Sequence, residues 1–144
     1  MPIKPENARL YPPDWPLISR AAKERAGWRC QHPGCLAHQY DVGVWKEIGG
    51  VWRWCASAVL CDSFAAARQI AADLHWSRYG DERGDEKIIV IVLTVAHLNH
   101  DPADCRPENL AAMCQRHHLA YDHALHMANA QATRRAKSGT LELF

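Results

Sequence analysis

The chain has 144 residues, 48% of them apolar and 23% charged, which is the size and balance of one domain able to bury a core. Those proportions exclude a disordered chain. A net charge of +1, from 17 Lys and Arg against 16 Asp and Glu, excludes a uniformly basic coat for nucleic acid, so any contact with a polyanion needs a local patch. The longest apolar run, 88–96, is too short to span a membrane. The start, Met1-Pro-Ile-Lys-Pro-Glu, lacks the apolar stretch of a secretory signal, so a cytoplasmic location is expected.

In chain order, Asp14 is a candidate N-cap with Pro16 in the first turn of a helix over about 15–26, ended by Gly27. Cys30-Gln-His-Pro-Gly-Cys35 follows, and its Pro-Gly turn brings two thiols together. Strands are expected at 44–48 and 51–55, flanking the hairpin signal Gly49-Gly50, with a third over 58–61. Ser63 or Asp62 caps a helix to about Trp76, with Phe64, Ala67, Ile70, Ala71 and Leu74 on one face. After a charged loop, 88–95 reads as a strand buried on both faces, with His97 just beyond its end. A short strand or turn covers 109–114, and a last helix runs from near Cys114 to about Lys137, before Gly139.

Nine His and six Cys are many for this length, and both are transition-metal ligands. With no signal peptide expected, the cysteines read as reduced thiols or ligands rather than disulfides. Cys30 and Cys35 form one short-spaced pair, and Cys114-Gln-Arg-His117 forms another. Two such pairs far apart in sequence point to a closed tetrahedral zinc site that joins the first helix to the last. The alternative for Cys30 and Cys35 is a pair of small buried residues, and His32 or His38 could replace a ligand. Cys55, Cys61 and Cys105 have no partner at good spacing and read as buried free thiols. Trp28 is expected beneath the zinc knuckle, and Trp45, Trp52, Trp54 and Trp76 in the core of the middle region.

The stretch Leu93-Thr-Val-Ala-His97, Glu108-Asn109-Leu110 and Cys114-Gln-Arg-His117-His118, together with Cys30 and Cys35, resembles the HNH (His-Asn-His) endonuclease motif of small phage and prophage proteins. The resemblance implies an α+β fold. It would be a ββα-metal (treble-clef) finger with an N-terminal helix and a small strand-plus-helix insertion. The expected layout is a single domain over 1–144: helix and zinc knuckle over 14–35, insertion over 40–87, and HNH core with C-terminal helix over 88–137. The implied activity is hydrolysis of DNA phosphodiester bonds with a divalent metal. His97 would be the general base, Asn109 the positioning residue and His118 a metal ligand.

Asp122 lies one helical turn beyond His118 and is either a second ligand or a surface carboxylate. The family's usual acidic or His ligand just before the first His is here Ala96. That leaves His118, Asp122 and His100 to hold the catalytic ion, Mg²⁺, Mn²⁺ or another divalent cation, beside a structural Zn²⁺. His123 and His126 read as a solvated or phosphate-facing side of the last helix. Ala96 also supports an alternative: a catalytically impaired, zinc-stabilised HNH-like module that binds nucleic acid or a protein partner, such as a phage-encoded inhibitor of a host defence system. Basic residues cluster in the two segments the zinc would join. Arg25, Arg29, Arg116, Arg134, Arg135 and Lys137 are therefore the expected DNA contacts, and no membrane partner is expected.

Overall fold

The computed structural model describes residues 5–142, so the outermost ends of the expected 1–144 domain lie outside the described residues. Helix α1 spans Trp15–Arg25. Asp14 occupies the N-cap, yet its side chain makes no capping bond. Its backbone carbonyl instead accepts from Leu17 and Ile18 N–H. The helix stops where Gly27 turns to a φ of 66° and Trp28 N–H reaches back to Lys23 O at 2.9 Å, a left-handed cap that only glycine adopts freely.

Strands β1 (Val42–Ile48) and β2 (Val51–Ala56) pair antiparallel through Gly49-Gly50. The third strand of this sheet is not 58–61, which forms none. It is β3 (Ile89–Val90), which pairs with β1. Helix α2 (Phe64–Tyr79) runs beyond Trp76 and is capped by Ser63 Oγ, which accepts from Ala66 N–H at 3.1 Å. Of its expected inner face only Ala67 is fully buried.

The apolar run expected as one strand serves two sheets. Its first part is β3; its last part is β4 (Thr94–His97), which pairs with β5 (Leu110–Met113). Three glutamines hold the join and its surroundings. Gln115 accepts from Val92 N–H at 3.1 Å and donates to Val90 O at 2.8 Å. Gln39 Oε1 accepts from Leu93 N–H. Gln31 accepts from Ala112 N–H through Oε1 and donates its own N–H to Ala112 O, both at 2.8 Å. Each satisfies a backbone group that the interrupted ladder leaves over. Helix α3 spans Gln115–Glu142, past the stop expected near Lys137. No helix among the described residues is long and apolar enough to cross a membrane.

Side chains alternate across the β4–β5 ribbon, as a strand requires. Val95 and Leu110 join Ala22 against α1, with Trp15, Ile18 and Cys105 alongside. Leu93, Ala96, Met113 and Cys114 pack with Cys30, Ala37 and Ile91, with Trp45 and Trp54 around them. Trp52 and Trp76 are exposed rather than core.

Candidate functional site

Two segments converge on the start of α3. The 28–39 loop is closed by backbone bonds from Cys30 N to Ala37 O and Gln39 N to Trp28 O, with Cys35 N reaching His32 O. This puts Cys30 and Cys35 beside Cys114 at the end of β5 and His117 in the first turn of α3. The donor atoms of these four residues all lie within 4.8 Å of one another. His117 Nδ1 is 3.2 Å from Cys114 Sγ and 3.6 Å from Cys30 Sγ. Zinc bonds of about 2.3 Å to sulfur and 2.0–2.1 Å to nitrogen at tetrahedral angles put donors roughly 3.5 Å apart, so the quartet fits a metal ion such as zinc.

The thiols are chemically unequal. A hydrogen bond from the Cys114 thiol stabilises the Cys30 thiolate and brings its pKa down to about 4. The same bond pushes Cys114 up, and burial pushes Cys35 up. A cation that draws all three into the thiolate form would release protons on binding. His32 is not a ligand here: its ring stacks on His117 at 3.9 Å. His38 turns away, with Nδ1 against Gln39 O.

The next residue along α3 faces different chemistry. Thr94 Oγ1 hydrogen-bonds His118 Nδ1, which leaves Nε2 toward Asp122 Oδ2 at 3.1 Å. Asp122 Oδ1 lies 3.4 Å from His100 Nδ1, so one carboxylate links two imidazoles. Burial lowers the His118 pKa against the pull of Asp122. His100 is held at a φ of 60°, its ring stacked on Tyr121, whose hydroxyl donates to Leu98 O.

His97 ends β4 on the opposite face from Ala96 and is 8% exposed. Its ring stacks on Trp15 at 4.9 Å and meets the edge of Tyr11 at 5.8 Å. Its Nε2 lies 3.7 Å from the Cys105 thiol. No hydrogen bond or ion pair joins it to His118, Asp122 or His100. Burial lowers its pKa, partly offset by Asp101 and Asp104. Asn109, 7% exposed, clamps the 98–109 loop. Its Nδ2 donates to Asn99 Oδ1 at 2.9 Å and Asp104 O at 2.8 Å, and its Oδ1 accepts from Asn99 N–H at 3.1 Å.

The basic residues Arg25, Arg29, Arg116, Arg134, Arg135 and Lys137 are all exposed, as is His123, while the His126 side chain lies outside the described residues. Arg116 is not loose: its guanidinium sits over Trp52 at 4.7 Å and Trp45 at 5.2 Å. Trp45 in turn meets His117 edge-on at 5.7 Å. Sequence reasoning missed Thr94, Tyr11, Trp15 and Cys105. The period of two along β4 places Thr94 on the Ala96 face, toward α3; the other three had no local signal. Cys55, Cys61 and Cys105 are free thiols, and all three are partly exposed rather than buried, because each lies at a strand edge or in a loop.

No family model, curated protein or solved structure matches the chain. Fold and site together define a mixed helix-and-strand protein with a cluster of three cysteines and one histidine close enough to hold a metal ion.

Proposed function

We propose that the chain is an HNH-type endonuclease of ββα-metal (treble-clef) architecture that hydrolyses phosphodiester bonds in DNA. The observation that carries the reading is the β5–α3 junction. Within one turn, His117 goes to three cysteines and its neighbour His118 goes to an Asp122–His100 pair. On this reading Zn²⁺ in the cysteine-rich cluster is structural. His118, Asp122 and His100 would hold a separate divalent ion, Mg²⁺, Mn²⁺ or another. The 3.1 Å between His118 Nε2 and Asp122 Oδ2 suits neighbouring ligands of an octahedral ion, whose bonds of 2.0–2.1 Å put adjacent donors about 3 Å apart. His100, 3.4 Å from the other carboxylate oxygen, would have to move to complete the set, since the donors of the three do not all lie within 4.8 Å of one another. Such an ion supplies Lewis-acid stabilisation of charge on a phosphate and its leaving oxygen.

The chain's own residues do the rest. His97, neutral at pH 7 because burial lowers its pKa, accepts the proton of the attacking water. Asn109 holds the loop that follows His97. Thr94 fixes the His118 ring through Nδ1, the usual support for a ligating imidazole. The exposed arginines and Lys137 attract the phosphate backbone.

A second reading is favoured by one observation: His97 lies beneath Tyr11 and Trp15, and Ala96 is buried in the core. It is the catalytically impaired module that binds nucleic acid or a protein partner, such as a phage-encoded inhibitor of a host defence system. Plasmid nicking by zinc-loaded protein with Mg²⁺, Mn²⁺ or Ni²⁺ separates the two. The nuclease reading expects metal-dependent cleavage that falls at least about a hundredfold in both His97→Ala and His118→Ala. Folded, zinc-loaded protein that cuts with none of these ions overturns it and leaves the binding module.

A further inference from the structure

A cleft of about 670 Å³ opens between α1, the 28–40 loop and the segment before α2. That volume lies within the range of small-molecule sites, about 300–1,000 Å³. Its walls come from three separate segments. Helix α1 contributes Arg20 and Lys23, the loop contributes Trp28, Gln39 and Tyr40, and the lead-in to α2 contributes Asp62.

Gln39 is the informative residue. It is 9% exposed, and its Oε1 is committed to the buried Leu93 N–H at 2.6 Å. That bond fixes the amide orientation, because a backbone N–H can donate only to the amide oxygen and not to its NH2 group. Nε2 therefore presents its hydrogens, and it has no hydrogen-bond partner among the described residues. It is not sealed off as a buried unsatisfied atom either, so it keeps contact with solvent, and Gln39 is one of the residues that line the cleft. A donor held this way calls for an acceptor on a ligand.

Lys23 supplies charge. Burial lowers its pKa, and it forms no ion pair among the described residues, unlike Arg20, which is tied to Glu24 at 3.2 Å. A half-buried ammonium without a carboxylate is stabilised by a bound anion. Trp28 and Tyr40 give the cleft two aromatic side chains, each held at positive φ, 57° and 64°, a costly conformation for bulky residues. Asp62 on the rim disfavours a ligand carrying several phosphates and offers an acceptor to a hydroxyl or amino group.

We propose that this cleft binds a single nucleotide unit. Its phosphate sits at Lys23, its base lies against Trp28 and Tyr40, and Gln39 Nε2 donates to an acceptor on the base edge. The proposal does not rest on the nuclease reading. The unit can be a free nucleoside monophosphate or one residue of a single strand, since the chemistry is shared.

Isothermal titration of the zinc-loaded full chain tests it with the four deoxynucleoside 5′-monophosphates, a deoxynucleoside, inorganic phosphate and a short single-stranded oligonucleotide. At least one monophosphate should bind with a Kd below about 1 mM. Its nucleoside and inorganic phosphate should each bind at least about tenfold more weakly. Gln39→Glu keeps the acceptor for Leu93 N–H and removes the donor, and Lys23→Gln sits on a half-exposed helix position. Each should weaken binding at least about tenfold with Tm unchanged for Lys23→Gln. Oligonucleotide binding weakened by the same variants assigns the unit to a strand; binding of monophosphates alone assigns it to a free ligand. Absence of binding by every nucleotide, equal affinity for inorganic phosphate, or wild-type affinity in Lys23→Gln overturns the proposal.

Discussion

His117 and His118 are neighbours on α3, yet they serve two different environments. His117 points into three cysteines, where every donor is within 4.8 Å of the others. His118 points toward one carboxylate and one hydroxyl, with a second imidazole beyond. Successive residues on a helix are turned by about 100°, so one helix start can divide a soft, sulfur-rich pocket from a hard, oxygen-and-nitrogen one. Thiolates with an imidazole suit a soft cation such as zinc, whereas the carboxylate and hydroxyl beside His118 give that ring hard oxygen partners.

The sharpest way to break this comparison is Cys114→Ser. It removes a fully buried thiol from the quartet, and structural zinc is worth on the order of 10 kcal/mol in small zinc domains. If the quartet holds zinc, the variant should carry none by elemental analysis and show no cooperative thermal transition. Retained zinc and a normal melt would mean the quartet is not what joins the first half of the chain to the last.

Asn109→Ala probes the other side without touching the quartet. It deletes three side-chain hydrogen bonds that hold the 98–109 loop. At roughly 1 kcal/mol each, chemical denaturation should register a loss of about 2–3 kcal/mol. The zinc content should stay unchanged, since the cluster draws nothing from that loop.

Acid sharpens the contrast next. His97 and His118 both have pKa values lowered by burial. The folded chain therefore binds fewer protons than the unfolded one just below the ordinary histidine value of about 6.5. Their contribution to stability is full above that value and is lost as pH falls toward the folded pKa values. Tyr11→Ala uncovers one edge of His97, so its imidazole should titrate at higher pH in proton NMR while that of His118 stays closer to its wild-type position. Unchanged titration of His97 would show that Trp15 alone buries it.

The smallest expected effect lies at the outer layer of the quartet. Trp52, 49% exposed, holds Arg116 by a cation–π contact. Trp52→Ala should cost only about 0.5–1 kcal/mol by denaturant titration and leave the guanidinium held by Trp45 alone.

How much of this was legible in the sequence follows from the range of the interactions. The quartet was, because each half is a short-spaced clip that local turn chemistry closes. The Gly49-Gly50 hairpin and the Ser63 cap were legible for the same reason. The division of 88–97 between two sheets was not: β-branched residues fit any strand, and the partners that settle it are glutamines 31, 39 and 115, whose side chains reach across the fold. The expected strand over 58–61 failed because propensity alone supported it; the sheet takes its third strand from β3, on the β1 side. The cover over His97 was equally hidden, since Tyr11 and Trp15 lie in a segment whose sequence reads only as a Pro-rich lead-in and a helix start.

The edge-on contact between Trp45 and His117, at 5.7 Å, carries a practical consequence. An indole that close to His117 would sense a cation bound in the quartet, so tryptophan emission offers a gauge of occupancy without label or dye. Replacing zinc by paramagnetic cobalt should darken that emission, and a Trp45→Phe chain should respond less, with Trp54 beside the same core keeping part of the signal.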